Sequence, residues 1–282
     1  MSTANLDLPP TSTALQPAAL EAAIAHHQHE LRTQGWTIFP RLMTDEQLSA
    51  IRQSIDAHID RQGTVRHDQN YHGVNLVAWD PAFGEVATTP LLLGTIEGLI
   101  GLDCILSSCN LGARISGCAA QGLHRDTGIW GPSMPFMTFP VGIQTAWCVD
   151  EFTLENGATI LIPGSHADHS IPINAPTIQA IATAGSVIAF DCQAFHAGGG
   201  NRSDKLRRAV LTLYIRSWLK PQTDHKRSFP QERWASASAD LLRLMGYRRQ
   251  SPVEHADGRT EIIDAPGATA FYDQAAAAPA KY

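Results

Sequence analysis

The 282-residue sequence has no C-x-x-C pair, no surplus of basic charge, and no apolar run approaching the roughly 20 residues of a membrane span. Its cysteines, Cys104, Cys109, Cys118, Cys148 and Cys192, number five, which is odd, and this argues against a disulfide framework. Buried, reduced thiols of a cytosolic protein are expected instead. With 21 Lys and Arg against 27 Asp and Glu, net charge −6, a nucleic-acid partner is not expected. Nor is a membrane. Met1 to Leu15 is polar with two prolines and lacks the charged start and apolar core of a signal peptide, so a cytoplasmic location is expected. Charged residues make up 17% and hydrophobic residues 44%, a balance that suits a compact chain with a sizeable core.

Residues 1–14 read as a disordered lead and 266–282 as a mobile, Ala/Pro-containing tail, with a single domain over 15–265. Helices come first. Pro17 to Gln34 favours helix, with Gly35 where a C-terminal cap belongs. Thr44-Asp-Glu-Gln47 is a capping box, followed by Leu48, Ile51, Ile55 and Ile59 at helical spacing and stopped by Gly63. Thr89 as N-cap and Pro90 as first residue open a third helix that Gly101 closes. A short helix is expected at Ala239–Met245.

From about residue 103 to 218 the texture changes to short apolar runs: Cys104–Ser108, Ala113–Ser116, Gly142–Val149, Ala158–Ile162, Ser186–Phe190 and Ala209–Ile215. Turn signals such as Glu155-Asn156-Gly157 and Pro163-Gly164-Ser165 separate them. Such spacing predicts a β sandwich or barrel, giving a mainly β fold with flanking helices.

Two imidazoles and one carboxylate on one face of a metal, with open positions opposite, are the donor set of mononuclear non-haem iron. An H-x-D pair on a strand would supply two, since residues two apart share a face. The sequence holds four such pairs, at His58/Asp60, His124/Asp126, His166/Asp168 and His255/Asp257. The first lies in a helix, where residues two apart diverge. The third follows a turn and reads as a surface loop, and the fourth lies in a polar C-terminal loop. His124 and Asp126 precede an apolar loop, where a pocket-lining pair belongs; a structural, hydrogen-bonded pair is the competing reading. His196, between a strand-like run and Gly198-Gly199-Gly200, is the best third ligand, and Arg207-Arg208 after it could fork onto a carboxylate.

Four blocks then resemble the phytanoyl-CoA dioxygenase family of iron(II)/2-oxoglutarate oxygenases. They are Gln121-Gly-Leu-His124-Arg-Asp126; Trp147 through Glu155-Asn-Gly-Ala-Thr159 and Ile162-Pro-Gly-Ser-His166; Phe190-Asp191 to His196; and Asn201-Arg202 to Arg207. The resemblance implies a double-stranded β-helix (jelly-roll) core with N-terminal helices packed outside. It implies Fe(II) on His124, Asp126 and His196, with 2-oxoglutarate and O2 as cosubstrates. It places the far carboxylate of 2-oxoglutarate on Arg207, or on Arg208 if the strand register slips by one. Gln121 and Thr159 match positions that contact the cosubstrate in relatives. Trp147 matches an aromatic near that site, though a plain core role fits it equally. The sequence departs from some relatives at Gly198, where a hydroxyl residue can assist the cosubstrate.

The implied reaction couples decarboxylation of 2-oxoglutarate to succinate and CO2 with oxidation of a C–H bond. Hydroxylation is the default; desaturation, cyclisation and endoperoxide formation are variants. Asp126 argues against halogenation, for which relatives carry a small residue there. The Ile129–Phe139 segment is apolar and broken by prolines, which predicts a lid over a small, partly apolar metabolite. Trp130, Met134 and Phe136 on it, and Asn75 at the expected pocket mouth, are candidate substrate contacts. No basic cluster for acyl-CoA phosphates is evident. A homodimer is an open alternative to a monomer, and a non-catalytic or 2-oxoglutarate-independent jelly-roll metal protein is the competing function.

Overall fold

The computed structural model describes residues 15–62, 70–131, 133–247, 253–254 and 260–261. The two expected tails, the stop at Gly63 and the His255/Asp257 pair lie outside the described residues.

The first helix, α1 (Pro17–Thr33), turns Ala23, His27 and Leu31 inward at a spacing of four and ends before Gly35, whose φ of +87° favours glycine. A four-residue strand, β1 (Trp36–Phe39), follows. Helix α2 (Asp45–Gln62) opens on the expected box: Gln47 N–H donates to Thr44 Oγ1 and Thr44 N–H to Gln47 Oε1, both at 3.1 Å. Strand β2 (Asn70–Gly73) precedes helix α3 (Pro81–Ala87), which the sequence reading missed. Its signal was Asp80-Pro81: Asp80 Oδ1 accepts from Ala82 N–H at 2.9 Å with proline in the first turn. Helix α4 (Pro90–Ile100) starts and stops as expected, but the Thr89 hydroxyl donates back to Val86 O at 2.9 Å instead of capping the helix.

The later elements include β3 (Ile105–Arg114), β4 (Gly142–Cys148), β5 (Thr159–Leu161), β6 (Ile178–Ala180), β7 (Val187–Asp191), β8 (His196–Gly198), β9 (Ala209–Ile215) and the short helices α5 (His225–Ser228) and α6 (Ala239–Leu244). A six-stranded antiparallel sheet runs β1-β7-β4-β9-β3-β2, and a three-stranded one runs β6-β5-β8. This is the jelly-roll core with helices outside.

Period-two alternation divides the core. On β4 and β7, Ile143, Trp147, Val187 and Ala189 join the large cluster with the helices. Their neighbours Ala146, Cys148, Ile188 and Phe190 face the other way, onto Phe152 and Leu161 in a smaller cluster. That second face lines the interior of the roll, so the residues that build the cavity are those that the helices do not cover.

Three expectations need correction. The runs Cys104–Ser108 and Ala113–Ser116 are not separate strands: β3 runs through Ile105–Arg114, with a bulge at Leu106/Ser108 against β9. Polar residues along β3 are used by the fold, as where buried Ser107 Oγ accepts from Gln222 N–H at 3.0 Å and half-buried Asn110 Oδ1 accepts from Asn75 N–H at 3.2 Å. The described large side chains of the Ile129–Phe139 segment do not line the cavity that holds His124, Asp126 and His196. Trp130, Met134 and Met137 pack on Val141, Cys192, Leu213 and Ile215 as a third small core. The H-x-D pair at 124 and 126 is not within a strand, as described next.

Candidate active site

His124 stands alone as an isolated antiparallel bridge to His196, the first residue of β8. Each histidine donates its backbone N–H to the other's carbonyl, at 3.0 and 2.9 Å. Asp126 opens a 3-10 turn, Asp126–Trp130, and its N–H donates to Cys192 O at 2.9 Å. Between them Arg125 turns outward, donating to Ser165 O at 3.1 Å with its guanidinium 4.0 Å over the Phe195 ring. A strand edge followed by a tight turn therefore brings together what a continuous strand was expected to.

The three side chains converge. Their ligand-type atoms all lie within 4.8 Å of one another. Asp126 Oδ1 is 3.8 Å from His124 Nε2 and 3.5 Å from His196 Nε2. Nδ1 of each ring is tied to a carbonyl two residues back, Gly122 O at 2.9 Å and Ala194 O at 3.1 Å. With Nδ1 protonated as the donor, Nε2 keeps its lone pair for a metal. His196 is buried and His124 exposed at the rim. Burial opposes the charge on both members of the Asp126–His196 pair. Their mutual attraction wins, holding the carboxyl below its ordinary value and raising the imidazole above its own.

A second cluster, His26, His27 and Glu30, has similar spacing. Its members are used by the fold: His27 Nδ1 is 2.8 Å from Thr37 Oγ1, which also donates to Glu30. Among the described residues, His58, His166 and Asp168 of the other H-x-D pairs also have structural partners. His58 stacks on Trp79 with centroids 3.5 Å apart. His166 is buried rather than at the surface, its Nε2 3.2 Å from Arg32 O, while Asp168 is exposed and bonded to Ser170.

The triad lines a cavity of about 170 Å³. Gln121, Thr159 and Arg207 line it too. Gln121 Oε1 accepts from Gly198 N–H at 2.9 Å, and Thr159 pairs in register with Gly198. Arg207 is 5% exposed, and its Nε has no hydrogen-bond partner. Its guanidinium carbon lies 4.0 Å over the Phe152 ring. Burial first, and neighbouring Arg114 second, bring its pKa down to about 10. Arg208 points elsewhere: Nε and Nη2 donate to Asp150 at 2.9 Å, and Nη1 donates to Asp56.

Trp147 does not line the cavity. It is fully buried in the large core, with Nε1 3.4 Å from Thr212 Oγ1. The candidate substrate residues are not brought there either. Asn75 donates to Ser228 Oγ at 2.9 Å, Trp130 Nε1 donates to Lys220 O at 2.9 Å, Met134 sits in the third core, and Phe136 lies 5.2 Å from the Arg125 guanidinium. Among the lining residues that the sequence reading did not assign to the site are Arg114, Gln144 and Phe190. The Phe190 ring sits 4.5 Å from that of His196. A lone arginine ending the apolar stretch Leu111-Gly-Ala-Arg114-Ile115 was the available signal for Arg114.

Dioxygenase trt7 of Aspergillus terreus is 28% identical over 256 residues, covering 83% of this chain and 89% of that one. Dioxygenase FrzG of Cladobotryum sp. is 25% identical over 256 residues, covering 86% and 78%. Among solved structures, the non-heme alpha-ketoglutarate-dependent carbocyclase SnoK from nogalamycin biosynthesis superposes with a TM-score of 0.61 at 16% identity, covering 79% of this chain and 96% of that one. EctD from S. alaskensis with bound Fe gives 0.59 at 16% identity, covering 70% and 79%. These likenesses show the shared fold. The family model for phytanoyl-CoA dioxygenase matches residues 31–209, and the chain belongs to that family.

Proposed function

We propose that the protein is an Fe(II)- and 2-oxoglutarate-dependent oxygenase that oxidises a C–H bond of a small, partly apolar metabolite. Hydroxylation is the default outcome. One observation carries the reading: a cavity holds both a convergent His/Asp/His set and a buried arginine whose Nε lacks a partner. The donor set fits iron, and a buried guanidinium without a carboxylate fits an anion. Dioxygenase-named relatives and the shared fold support the same reading.

His124 and His196 would hold the metal through Nε2, oriented by their Nδ1 bonds, with Asp126 as the third ligand. Bound Fe(II) with 2-oxoglutarate would supply the oxidation of an unactivated C–H bond by O2, with succinate and CO2 as co-products. Arg207 would neutralise the far carboxylate of 2-oxoglutarate, and Gln121 and Thr159 would offer it polar contacts. Ala146, Phe190 and Leu211 keep the interior wall apolar, which excludes water from the reacting face. No described helix is long and apolar enough to cross a membrane. All five cysteines are buried and unpaired, which supports work in a reducing compartment such as the cytoplasm.

The test is an anaerobic mixture of protein, Fe(II) and 2-oxoglutarate. It should give a weak visible charge-transfer band that is lost in Asp126→Ala, and air should release succinate. Metal binding without either signal would favour the 2-oxoglutarate-independent reading. A metabolite screen scored by stimulated succinate release would then find the substrate.

A further inference from the structure

Arg114 closes β3 directly opposite Arg207. The two exchange backbone hydrogen bonds, Arg114 N–H to Arg207 O at 2.8 Å and Arg207 N–H to Arg114 O at 3.0 Å. Directly opposed residues send their side chains to the same face of a sheet, and like charges so placed repel. Both side chains are buried, at 4% and 5% exposure, and both line the cavity. In each, Nε lacks a hydrogen-bond partner. Arg114 is anchored by Nη2 donating to Ala119 O, and no carboxylate among the described residues pairs with either guanidinium. Two buried cations facing each other are unfavourable unless an anion joins them.

Gly198 supplies the second observation. A Cβ there would stand 3.3 Å from Arg114 Nη1 and 2.8 Å from Gln121 Oε1. The missing side chain is therefore what leaves the Arg114 head room beside β8.

We infer that Arg114 is a second cationic seat for the far carboxylate of 2-oxoglutarate. The inference rests on the oxygenase reading above. With Arg207 it makes a two-guanidinium clamp, so one carboxylate oxygen can be shared with each arginine. A clamp of this kind selects a dicarboxylate over a 2-oxo acid with an apolar tail. It should retain succinate as well, because the far carboxylate survives the reaction.

The test is calorimetry on full-length protein loaded with Fe(II) under argon, titrated with 2-oxoglutarate and with 2-oxobutyrate, and with Co(II) affinity measured separately. Arg114→Gln should weaken 2-oxoglutarate binding by about tenfold or more, the scale of a lost charge-assisted hydrogen bond. Arg114→Lys should recover part of that loss. Co(II) affinity should hold in both, and 2-oxobutyrate binding, weak in the parent, should change little. Gly198→Ser should weaken 2-oxoglutarate binding in the parent by displacing the guanidinium, yet improve it in Arg114→Gln, where its side chain meets only the movable end of Gln121. The rescue keeps the test decisive should Arg114→Gln prove poorly folded, because general damage would not be repaired by a second substitution. Unchanged 2-oxoglutarate affinity in a folded Arg114→Gln protein overturns the inference, including the case in which only the primary substrate binds more weakly. A parent protein that binds no 2-oxoglutarate removes the oxygenase reading itself, a result visible before any variant is made.

Discussion

His124 and His196 lie 72 positions apart in the chain, yet they bond to each other through both backbone amides, with ring centroids 4.4 Å apart. Among the described residues the bridge is the only ladder contact His124 makes, so β8 fixes one candidate ligand by its sequence and the other by its edge. Asp126 is held separately, through its own N–H to Cys192 O. Removing the Asp126 side chain should therefore leave the backbone in place. Asp126→Ala is expected to lower Co(II) affinity at least about a hundredfold while leaving thermal stability near the parent's, since the loss of a ligand's charge falls on the metal. Isothermal titration alongside thermal denaturation separates the two effects. Unaltered Co(II) affinity would disprove the ligand assignment.

Adjacent arginines should behave in opposite ways. Arg207 is buried with no carboxylate partner, whereas Arg208 is paired to Asp150 and Asp56. Arg207→Gln is expected to raise the 2-oxoglutarate dissociation constant by about tenfold or more and to leave stability level or improved, because an uncompensated buried charge is removed. Arg208→Gln should leave that constant alone and cost about 1–2 kcal/mol, discounted for partial exposure. Urea denaturation and a binding titration on both variants decide it. The reverse pattern would move the carboxylate seat to Arg208.

The contrast between these two residues shows what the sequence made legible. Local signals carried through: the Thr44/Gln47 box, Pro90 and Gly101 act within one turn of chain and are found where their chemistry puts them. Short strands defined only by distant partners did not. Trp36–Phe39 is a strand because it pairs with Val187–Phe190, and nothing within four residues reveals that. Likewise, choosing Arg207 over Arg208 needs the register that faces one into the roll and the other out. The site blocks were readable because they sit at turns and strand ends, where residue type is constrained locally. Arg114 was not, because its meaning depends on Arg207 lying across from it. The large side chains of the 129–139 loop were expected over a pocket, but apolarity alone does not say which apolar surface they cover.

Trp147 tests the boundary between core and site. It is fully buried among Ile143, Val187 and Val210 on the helix-facing side of the sheet, away from the cavity lining. Trp147→Ala is expected to cost about 3–5 kcal/mol through the void it leaves. Trp147→Phe, which refills part of that volume, should cost less and should leave the 2-oxoglutarate dissociation constant within about twofold of the parent's, since the ring touches nothing the cosubstrate would touch. A large change in that constant at small cost in stability would return Trp147 to the cosubstrate site.

Two buried histidines should make the fold acid-sensitive. Burial, helped by the charge of His26, lowers His27 to about 3; burial also lowers His225 to about 4, against the opposing pull of Asp224. Both bases are harder to protonate folded than unfolded, where the ordinary value is 6.5. Their neutral forms therefore contribute fully above about pH 6.5, and the contribution is lost as pH falls from there toward the folded values. At pH 5 each should have cost about 2 kcal/mol. Urea denaturation at pH 7.5 and pH 5 measures the difference. His27→Asn should be less stable than the parent at pH 7.5, having lost the contact 3.9 Å from the Phe39 ring, yet lose about 2 kcal/mol less between the two pH values. An unchanged pH difference in His27→Asn would show that His27 titrates in the folded protein as it does in the unfolded chain.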